Sequence, residues 1–203
     1  MARKHQKRYV DFQVISQWVI EGSRVLDIGC GRGVLLDYLR QTRKARVLGV
    51  DIDPEKITAC VQKGIAVYQG DGLNLLATFA DNSFDRIILS RTVEELDQPA
   101  RVLEAALRVG RTLTVGFVNH GYWLNRLSYL MTGSRPVNDV YPETWYTSRP
   151  QNRFSHREFL DWCATIGCTV RRRHCLAGDW STPVSRLVNL RAGYVIVDLE
   201  KEG

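Results

Sequence analysis

The sequence has no run of about 18 or more consecutive apolar residues, the length that a membrane-spanning helix requires. Its first residues are basic, but Asp11, Gln13 and Gln17 interrupt the next part of the chain, so the unbroken apolar stretch of a secretory signal is absent. The 5 cysteines are scattered, with no C-x-x-C pair and no histidine at zinc-finger spacing. We therefore expect a cytoplasmic protein with free thiols, no membrane association and no bound metal.

Proline is also scarce, with 6 residues beside 16 glycines, and no repeat, low-complexity segment or linker divides the chain. At 203 residues, with 44% hydrophobic and 25% charged residues, the composition is that of an ordinary globular protein. We predict one domain over residues 1–203. Within it, residues 1–22 are expected to form a basic tail and a lead-in helix.

Acidic residues are outnumbered, with 22 of them against 28 basic ones and a net charge of +6. The basic residues lie along the whole chain and cluster only at 3–8 and 171–174. Binding to nucleic acid needs basic charge gathered on one surface, so we expect solvated faces and no nucleic-acid partner. An RNA-directed enzyme that uses Arg171–Arg173 and the N-terminal tail is kept as an alternative.

Short apolar runs alternate with helical patterns, which is typical of a parallel sheet covered by helices and predicts an α/β fold. The predicted strands are residues 24–28, 46–51, 65–68, 84–89, 113–117, 168–174 and 194–199. The predicted helices are residues 9–20, 33–41, 54–63, 99–109 and 155–166, and residues 122–131 are compatible with a helix. Asp53 before Pro54, and Ser155 with Glu158, are the predicted helix caps.

From residue 119 to residue 152 the alternation gives way to a polar stretch that is rich in tyrosine and tryptophan. Long ordered loops often carry binding contacts, so we predict a lid or a partner-binding segment, with a packed connector as the alternative. Its candidate acceptor or partner residues are Asn119, Trp123, Arg126, Trp145 and Tyr146. His120 is the candidate catalytic base and Tyr122 the second choice, although loop histidines are more often surface or supporting residues.

The strongest local signal is Val-Leu-Asp-Ile-Gly-Cys-Gly-Arg-Gly at residues 25–33, where a strand leads directly into a glycine-rich turn and a helix. Gly29, Gly31 and Gly33 let the backbone turn sharply and approach a ligand closely. Such a turn also presents amides at a helix N-terminus. A dinucleotide fingerprint would need glycine at position 34, where this chain has Val34, so NAD is disfavoured.

With Asp27 ahead of the first glycine, this string resembles motif I of the class I S-adenosylmethionine-dependent methyltransferases. Asp51 closes the second strand, where that family holds an acid that accepts hydrogen bonds from both ribose hydroxyls. Asp71 follows the third strand, where the family places an acid or its neighbour against the adenine amino group. The cofactor-binding residues that the resemblance implies are Asp27, Gly29, Cys30, Gly31, Gly33, Asp51, Ile52, Asp71, Gly72 and Ser90.

The same resemblance implies a single Rossmann-like domain, with a central, mostly parallel seven-stranded sheet and helices on both faces. Structural alternatives are open for the acids: Asp51 or Asp53 caps a helix, and Asp71 with Gly72 makes a plain turn. Asp27 is more easily explained as a buried group that orients the glycine loop through hydrogen bonds. The hallmark strings of adenine-N6 and cytosine-C5 methyltransferases, Asn-Pro-Pro-Tyr and Pro-Cys, are missing.

A narrower resemblance rests on residues 22–31, 49–54 with Cys60, 84–92, 107–111, 119–123 with Arg126, 133–136, 145–146 and 189–190 with Ala192. Through these stretches the chain, from residue 10 to residue 199, resembles the methionine biosynthesis protein MetW family. Arg32 replaces the family's usual acid in the glycine-rich turn, Asp51 replaces a more usual glutamate, and residues 116–120 and 145–152 depart from the family pattern. The chain therefore resembles a divergent member, whose intact glycines still predict cofactor binding.

This resemblance implies a role in methionine synthesis beside a homoserine O-acyltransferase. It implies S-adenosylmethionine as cofactor, with S-adenosylhomocysteine as product if a methyl group is transferred, and it leaves the methyl acceptor open. The alternative is a conventional small-molecule methyltransferase, with its acceptor pocket between residues 119–126 and residues 145–146.

Overall fold

The computed structural model describes residues 2–138, 144, 146 and 151–201, with side chains from Val10 onward. The strands are β1 (Arg24–Ile28), β2 (Arg46–Asp51), β3 (Ala66–Gln69), β4 (Arg86–Ser90), β5 (Leu113–Val118), β6 (Cys168–Leu176) and β7 (Tyr194–Lys201). The helices are α1 (Ala2–Trp18), α2 (Val34–Arg43), α3 (Pro54–Gln62), α4 (Gly72–Ala77), α5 (Pro99–Val109), α6 (Trp123–Thr132), α7 (His156–Thr165) and α8 (Val188–Arg191), with a 3-10 turn at Val93–Glu95.

The seven strands form one sheet in the order β3-β2-β1-β4-β5-β7-β6. Strands β1 to β5 are parallel, and β7 is inserted antiparallel between β5 and β6. The strand order reverses between β1 and β4, and ligands of such sheets bind outside the carboxyl ends of the strands at this point. The predicted α/β fold with a mostly parallel seven-stranded sheet is confirmed.

The two predicted helix caps are present. Asp53 precedes Pro54 and accepts a hydrogen bond from the Glu55 amide at 2.9 Å, which fixes the start of α3. Ser155 and Glu158 form a reciprocal capping box at the start of α7. Local side-chain chemistry therefore determines where these two helices begin.

Other boundaries differ from the sequence predictions. Helix α1 begins at Ala2 rather than Tyr9, so the backbone of the expected basic tail is helical. Helices α4 and α8 and the 3-10 turn were not predicted, because each is too short to show a periodic apolar pattern. Residues 122–131 do form a helix, one residue later than expected.

Hydrophobic side chains cover both faces of the sheet. Successive residues of a strand point to opposite faces, and in β1 Val25 packs with α1 and α2 whereas Leu26 packs with α4 and α5. None of the 5 cysteines forms a disulfide, as the sequence predicts, and all of them are buried. No helix in the described part of the chain is both long enough and apolar enough to cross a bilayer.

A buried charge network joins the four strands β4, β5, β7 and β6, which form one half of the sheet. Asp198 of β7 is fully buried, and its carboxylate accepts hydrogen bonds from Arg86 of β4 and Thr114 of β5. Arg172 of β6 donates two further hydrogen bonds to the same carboxylate, at 2.6 and 3.0 Å. Charge compensation keeps these ionised groups stable away from water.

Candidate functional site

The glycine-rich loop between β1 and α2 has the left-handed backbone that its composition predicts. Gly29, Gly31 and Gly33 have φ angles of 73°, 57° and 68°. A Cβ atom at Gly29 would come within 2.5 Å of Thr92, and one at Gly33 within 2.8 Å of Cys60 and Ile65. A Cβ at Gly31 would meet nothing within 4 Å, so this position faces open space. Close packing therefore requires glycine at positions 29 and 33, whereas the space beside Gly31 is open to a ligand.

The amides of this loop bond to β2. The Gly29 and Cys30 amides donate to the Val50 carbonyl at 2.8 and 3.0 Å, and the Gly31 amide donates to Oδ2 of Asp51 at 2.9 Å. These bonds fix the loop against the end of β2. None of these three amides donates to Asp27, so the loop-orienting role expected of Asp27 stays a prediction.

Asp51 is the acid at the carboxyl end of β2, and it is only 6% exposed. Besides the Gly31 amide, it accepts a hydrogen bond from the Asp53 amide at 3.0 Å, and Lys56 Nζ lies 3.6 Å from Oδ1. A carboxylate has about four acceptor positions, so these contacts leave capacity for a ligand that brings two hydroxyl donors. Asp53, and not Asp51, caps α3.

Asp27 lies nearly buried beside this acid. Burial raises the pKa of its carboxyl to about 8, and the negative charge of Asp51 contributes to the rise. The same residue lines a cleft of about 320 Å³ at the carboxyl ends of β1 and β4. The cleft floor therefore carries a carboxylic acid that responds to pH near neutrality.

Five of the ten predicted cofactor-binding residues line this cleft together: Asp27, Gly29, Cys30, Gly31 and Ser90. Phe12, Arg32, Val34, Leu35, Lys56 and Arg91 complete the lining and were not predicted as site residues. Asp51 contacts the cleft through Gly31, and Ile52 beside it is 68% exposed. The structure thus brings the glycine loop, the end of β2 and the end of β4 to one place.

The remaining predicted cofactor residues lie around this place. Asp71 caps α4 by accepting a hydrogen bond from the Asn74 amide at 3.0 Å, and it lines a neighbouring cavity of about 440 Å³. Gly72 packs against Ile28 at the end of β1. Asp71 and Gly72 therefore serve as a helix start, close to the structural alternative of a plain turn, at the same edge of the sheet.

The end of β4 carries an arginine that the sequence pattern did not single out. Arg91 has a left-handed backbone with φ of 61°, and its amide donates to the Gly116 carbonyl at 2.7 Å. Its guanidinium donates to Asp11 of α1 at 2.6 Å and lies 4.4 Å from the Trp180 ring centroid. A non-glycine residue held in this conformation is a strained position of the kind that clusters at functional sites.

The ring of Tyr194 packs against the guanidinium of Arg91. Its buried ring stacks on Trp180 at 4.4 Å, and its hydroxyl lies 3.3 Å from Ser90 Oγ. Asp11, Arg91 and the pair Trp180 and Tyr194 come from three distant parts of the chain, so no sequence pattern marked them as neighbours. The Asp11 carboxyl has a raised pKa because it is buried, although Arg91 acts in the opposite direction.

Two candidate acceptor residues of the segment after β5, Asn119 and Arg126, lie near α7 and α8 instead. Asn119 is fully buried, donates to the Ala192 carbonyl at 2.8 Å, and accepts hydrogen bonds from the Gly121 and His156 amides. Arg126 donates to the Gly121 carbonyl at 2.7 Å. Asn119 therefore joins this segment to α7 and α8. Arg126 lines a cavity of about 540 Å³ next to them.

The two candidate bases are outside the lining of the glycine-loop cleft. The His120 amide donates to the Phe154 carbonyl at 3.0 Å, and its ring packs edge-on against Tyr129. Burial, and then the charge of Arg153, lower the pKa of His120. Tyr122 is buried with its hydroxyl against Gly178. Their catalytic roles stay predictions.

The structure describes two of the three aromatic candidates of the same segment. Trp123 is 44% exposed at the start of α6, and Tyr146 is also exposed. Trp145 lies outside the described residues. The lid and partner interpretations of residues 119–152 therefore stay predictions too.

The basic cluster of β6 is engaged within the fold. Arg171 pairs with Glu200 at 3.0 Å, and Arg172 pairs with Asp198 and lies over the Trp18 ring. Arg173 approaches His156, with Nη1 3.3 Å from Nε2. These three arginines thus have partners within the fold and are also exposed, and the RNA-directed alternative stays a prediction.

The sheet order, the glycine loop and the acid at the end of β2 together define the fold of a class I methyltransferase. The family model of the methionine biosynthesis protein MetW matches residues 9–197, and the chain belongs to this family. The bifunctional methionine biosynthesis protein MetXA/MetW of Rhodopirellula baltica is 32% identical over 154 residues, which are 71% of this chain. The match spans only 25% of that much longer relative.

Solved structures agree on the fold. A methyltransferase of Thermotoga maritima, described as a possible histamine N-methyltransferase, superposes with a TM-score of 0.67 at 19% identity, covering 98% of this chain and 91% of its own. Magnesium protoporphyrin IX methyltransferase of Synechocystis, solved with bound S-adenosylmethionine, gives a TM-score of 0.63 at 14% identity, covering 97% and 80%. At these identities the likeness establishes the architecture alone.

Proposed function

We propose that the glycine-loop cleft binds S-adenosylmethionine, with Asp51 accepting hydrogen bonds from the ribose hydroxyls. The observation that carries this proposal is the position of the Asp51 carboxylate, at the end of β2 and bonded to the Gly31 amide. The loop and the acid are thereby fixed to each other before any ligand arrives. Such preorganisation lowers the cost of binding.

The residues of the cleft fit this cofactor. A Cβ at Gly31 would occupy open space, so a ligand has room to lie against the backbone there. Ile52 offers an exposed apolar side chain beside Asp51, where an adenine ring would pack. When bound, S-adenosylmethionine supplies a methyl group activated by a sulfonium. The chain's own residues bind, align and desolvate the reactants, which is the main requirement for such a displacement.

We infer further that the protein acts in methionine biosynthesis together with a homoserine O-acyltransferase. Membership of the MetW family supports the pathway, and the relative named as a MetXA/MetW bifunctional protein supports a physical association of the two activities. Under this proposal the cofactor site senses the pathway's end product. Binding must then differ between the free and the partnered protein.

A second candidate function is a conventional small-molecule methyltransferase. It is favoured by the cleft itself, which extends from the glycine loop to Ser90 and Arg91 at the end of β4. In methyltransferases of this fold the acceptor is expected beside that strand end. The cofactor site is the same in both functions, so one set of measurements tests the site and a second distinguishes the functions.

The site is tested by calorimetric titration of S-adenosylhomocysteine into the wild-type protein and the Asp51→Ala variant. We expect the substitution to weaken binding by about 1.5–3 kcal/mol, because hydrogen bonds to a charged acceptor are lost. The 2′-deoxy analogue separates a ribose contact from a loop effect. On the wild type, the 2′-deoxy analogue should bind less tightly than S-adenosylhomocysteine. On Asp51→Ala, the two compounds should bind equally tightly.

Asp53→Ala is the matched control, since it removes a carboxylate two residues away that caps α3 and should leave cofactor affinity nearly unchanged. An unchanged dissociation constant in Asp51→Ala would contradict the ribose assignment. To separate the two functions, the titration is repeated with a homoserine O-acyltransferase from the same source. A shift in affinity supports the regulatory function, because coupling between two ligands is reciprocal, whereas no shift supports the conventional enzyme.

A further inference from the structure

We propose that Glu94 is the proton-accepting group of the methyl-acceptor site, and that the acceptor presents its reacting atom as an N–H or O–H group. This inference rests on the proposed cofactor site and goes beyond it. It concerns a buried carboxyl group three residues after Arg91, which lines the cofactor cleft, and it involves neither the glycine motif nor the acids after β2 and β3.

The carboxyl of Glu94 is fixed where the ends of two central strands meet. Glu94 lies in the 3-10 turn that begins three residues after the end of β4, and it is only 8% exposed. Its Oε1 accepts a hydrogen bond from the Val118 amide at 2.6 Å, and Val118 is the last residue of β5. The Asn152 amide covers the turn by donating to the Glu94 carbonyl at 2.7 Å.

The second carboxyl oxygen, Oε2, is buried and has no hydrogen-bond partner within the described structure. Leaving a buried charged acceptor unsatisfied costs about 1–3 kcal/mol or more, so the arrangement is costly for a purely structural residue. A ligand with an N–H or O–H donor would remove this cost. Ser90 and Arg91, four and three residues before Glu94, already line the cofactor cleft.

The surroundings suit a group that exchanges a proton near neutral pH. Burial raises the pKa of Glu94 to about 7, against the opposing effect of the Val118 hydrogen bond. Glu95 raises the pKa slightly and Arg91 lowers it, and the buried hydroxyl of Tyr194 is another titratable group that interacts with Glu94. A base is most effective when its pKa lies near the working pH.

The chemical step balances without any further reactant. The N–H or O–H proton of the acceptor moves to Oε2 of Glu94, while the freed lone pair forms a bond to the methyl carbon. The bond between that carbon and sulfur breaks, and its electron pair stays on sulfur, which becomes the neutral thioether of S-adenosylhomocysteine. Glu94 then returns the proton to solvent. This is the role for which His120 was the sequence candidate.

Sinefungin tests the placement without knowledge of the acceptor. In this analogue a carbon bearing a primary amine replaces the sulfonium and its methyl group, so its N–H donors lie where the methyl group would be. S-adenosylhomocysteine has the same frame without the amine. The ratio of the two dissociation constants therefore isolates the contact between Glu94 and the reacting position.

The variant is Glu94→Gln. The Val118 amide is a donor, so it should bond to the side-chain oxygen of the glutamine. The NH₂ group of the glutamine then takes the place of Oε2, and this group repels the amine of sinefungin. We expect sinefungin affinity to fall about tenfold or more, as for the loss of a charge-assisted hydrogen bond, and S-adenosylhomocysteine affinity to stay within about twofold. The matched control is Glu95→Gln, at an exposed neighbour, which should change neither affinity.

A parallel loss of both affinities in Glu94→Gln, or an unchanged ratio, overturns the assignment while leaving the cofactor site intact. Failure of S-adenosylhomocysteine to bind the wild type contradicts the proposed function itself, and the assignment falls with it. If the variant does not fold, the wild type provides the test. Its preference for sinefungin should increase as the pH rises through about 7, where Glu94 loses its proton, and a flat ratio from about pH 6 to pH 8 contradicts the proposal.

Discussion

The two halves of the sheet hold their polar residues in different ways. In the half formed by β1, β2 and β3, Asp51 binds the amides of Gly31 and Asp53, which are close to it in the fold and not far along the chain. In the half formed by β4, β5, β7 and β6, charged side chains bond to each other across long separations. Asp198 joins Arg86, and Asp11 joins Arg91.

This difference has a physical consequence. Side chain to main chain bonds in the first half shape a loop, and they leave acceptor positions on Asp51 for a ligand. Side chain to side chain bonds in the second half connect strands, and removal of one partner leaves the other charge buried without compensation. The first half is therefore expected to tolerate changes in charge better than changes in backbone geometry. The second half is expected to tolerate changes in backbone geometry better than changes in charge.

The largest effect is expected for Asp198→Ala in the second half. The substitution leaves Arg86 buried without its counter-charge, which should lower the free energy of unfolding by about 3–5 kcal/mol. Urea denaturation monitored by circular dichroism measures the change. Glu200→Ala is the control, because its ion pair with Arg171 is half exposed and is worth about 1 kcal/mol at most. Equal losses in the two variants would contradict the buried network.

A backbone change should have the next largest effect, in the first half. Gly33→Ala forces an alanine into a left-handed conformation and places its Cβ 2.8 Å from Cys60 and Ile65, so we expect a loss of about 2–4 kcal/mol. Gly31→Ala has the same backbone strain but open space, so about 1–2 kcal/mol is expected from strain alone. Their unfolding free energies, compared in one denaturant series, test the role of packing. The comparison fails if Gly31→Ala is the more damaging.

The smallest effect is the change in stability between about pH 7 and pH 8, and the pH range of such changes separates the two halves. Asp27 has a folded pKa of about 8, above its ordinary 3.8, so the folded state binds a proton that the unfolded state has lost. Stability present at low pH therefore declines as the pH rises towards 8, by up to about 1.4 kcal/mol per pH unit. Glu94 in the second half acts in the same direction only up to about pH 7.

Denaturation midpoints measured between about pH 6.5 and 8.5 test this pH dependence of stability. Below this range His156 also changes the stability with pH, because burial and Arg173 lower its folded pKa to about 4. Asp27→Asn should flatten the curve between about pH 7 and 8, whereas Glu94→Gln should flatten it only below about pH 7. An Asp27→Asn protein with the wild-type slope would show that Asp27 is ionised in the folded state.

The first half was largely predictable from the sequence. Gly29, Gly31 and Gly33 lie close together, and each requires a backbone that other residues avoid, so their pattern alone indicates the loop. Asp53 and Pro54 likewise mark the start of α3 by local chemistry. The sequence did not reveal that the Gly29, Cys30 and Gly31 amides bond to Val50 and Asp51, and the role expected of Asp27 stays a prediction.

The second half was predicted only in outline. Its strands were found, but Arg91, Glu94 and Trp180 were not identified, since each has meaning only beside a residue from another part of the chain. Glu94 is one of several acids after β4, and its burial depends on Val118 and Asn152. Asn119 and Arg126 of the aromatic segment donate to carbonyls of α8, and these contacts between distant residues were not predicted either.

The sequence by itself determined the alternation of strands and helices, the glycine turn, the caps and the acid that ends β2. These features depend on the conformational preferences and hydrogen bonds of residues that are near each other along the chain. Only the tertiary structure decided which polar groups meet at the ends of β4, β5 and β7. Such meetings follow from the order of the strands, which brings residues 104 positions apart, as with Ser90 and Tyr194, within hydrogen-bond distance.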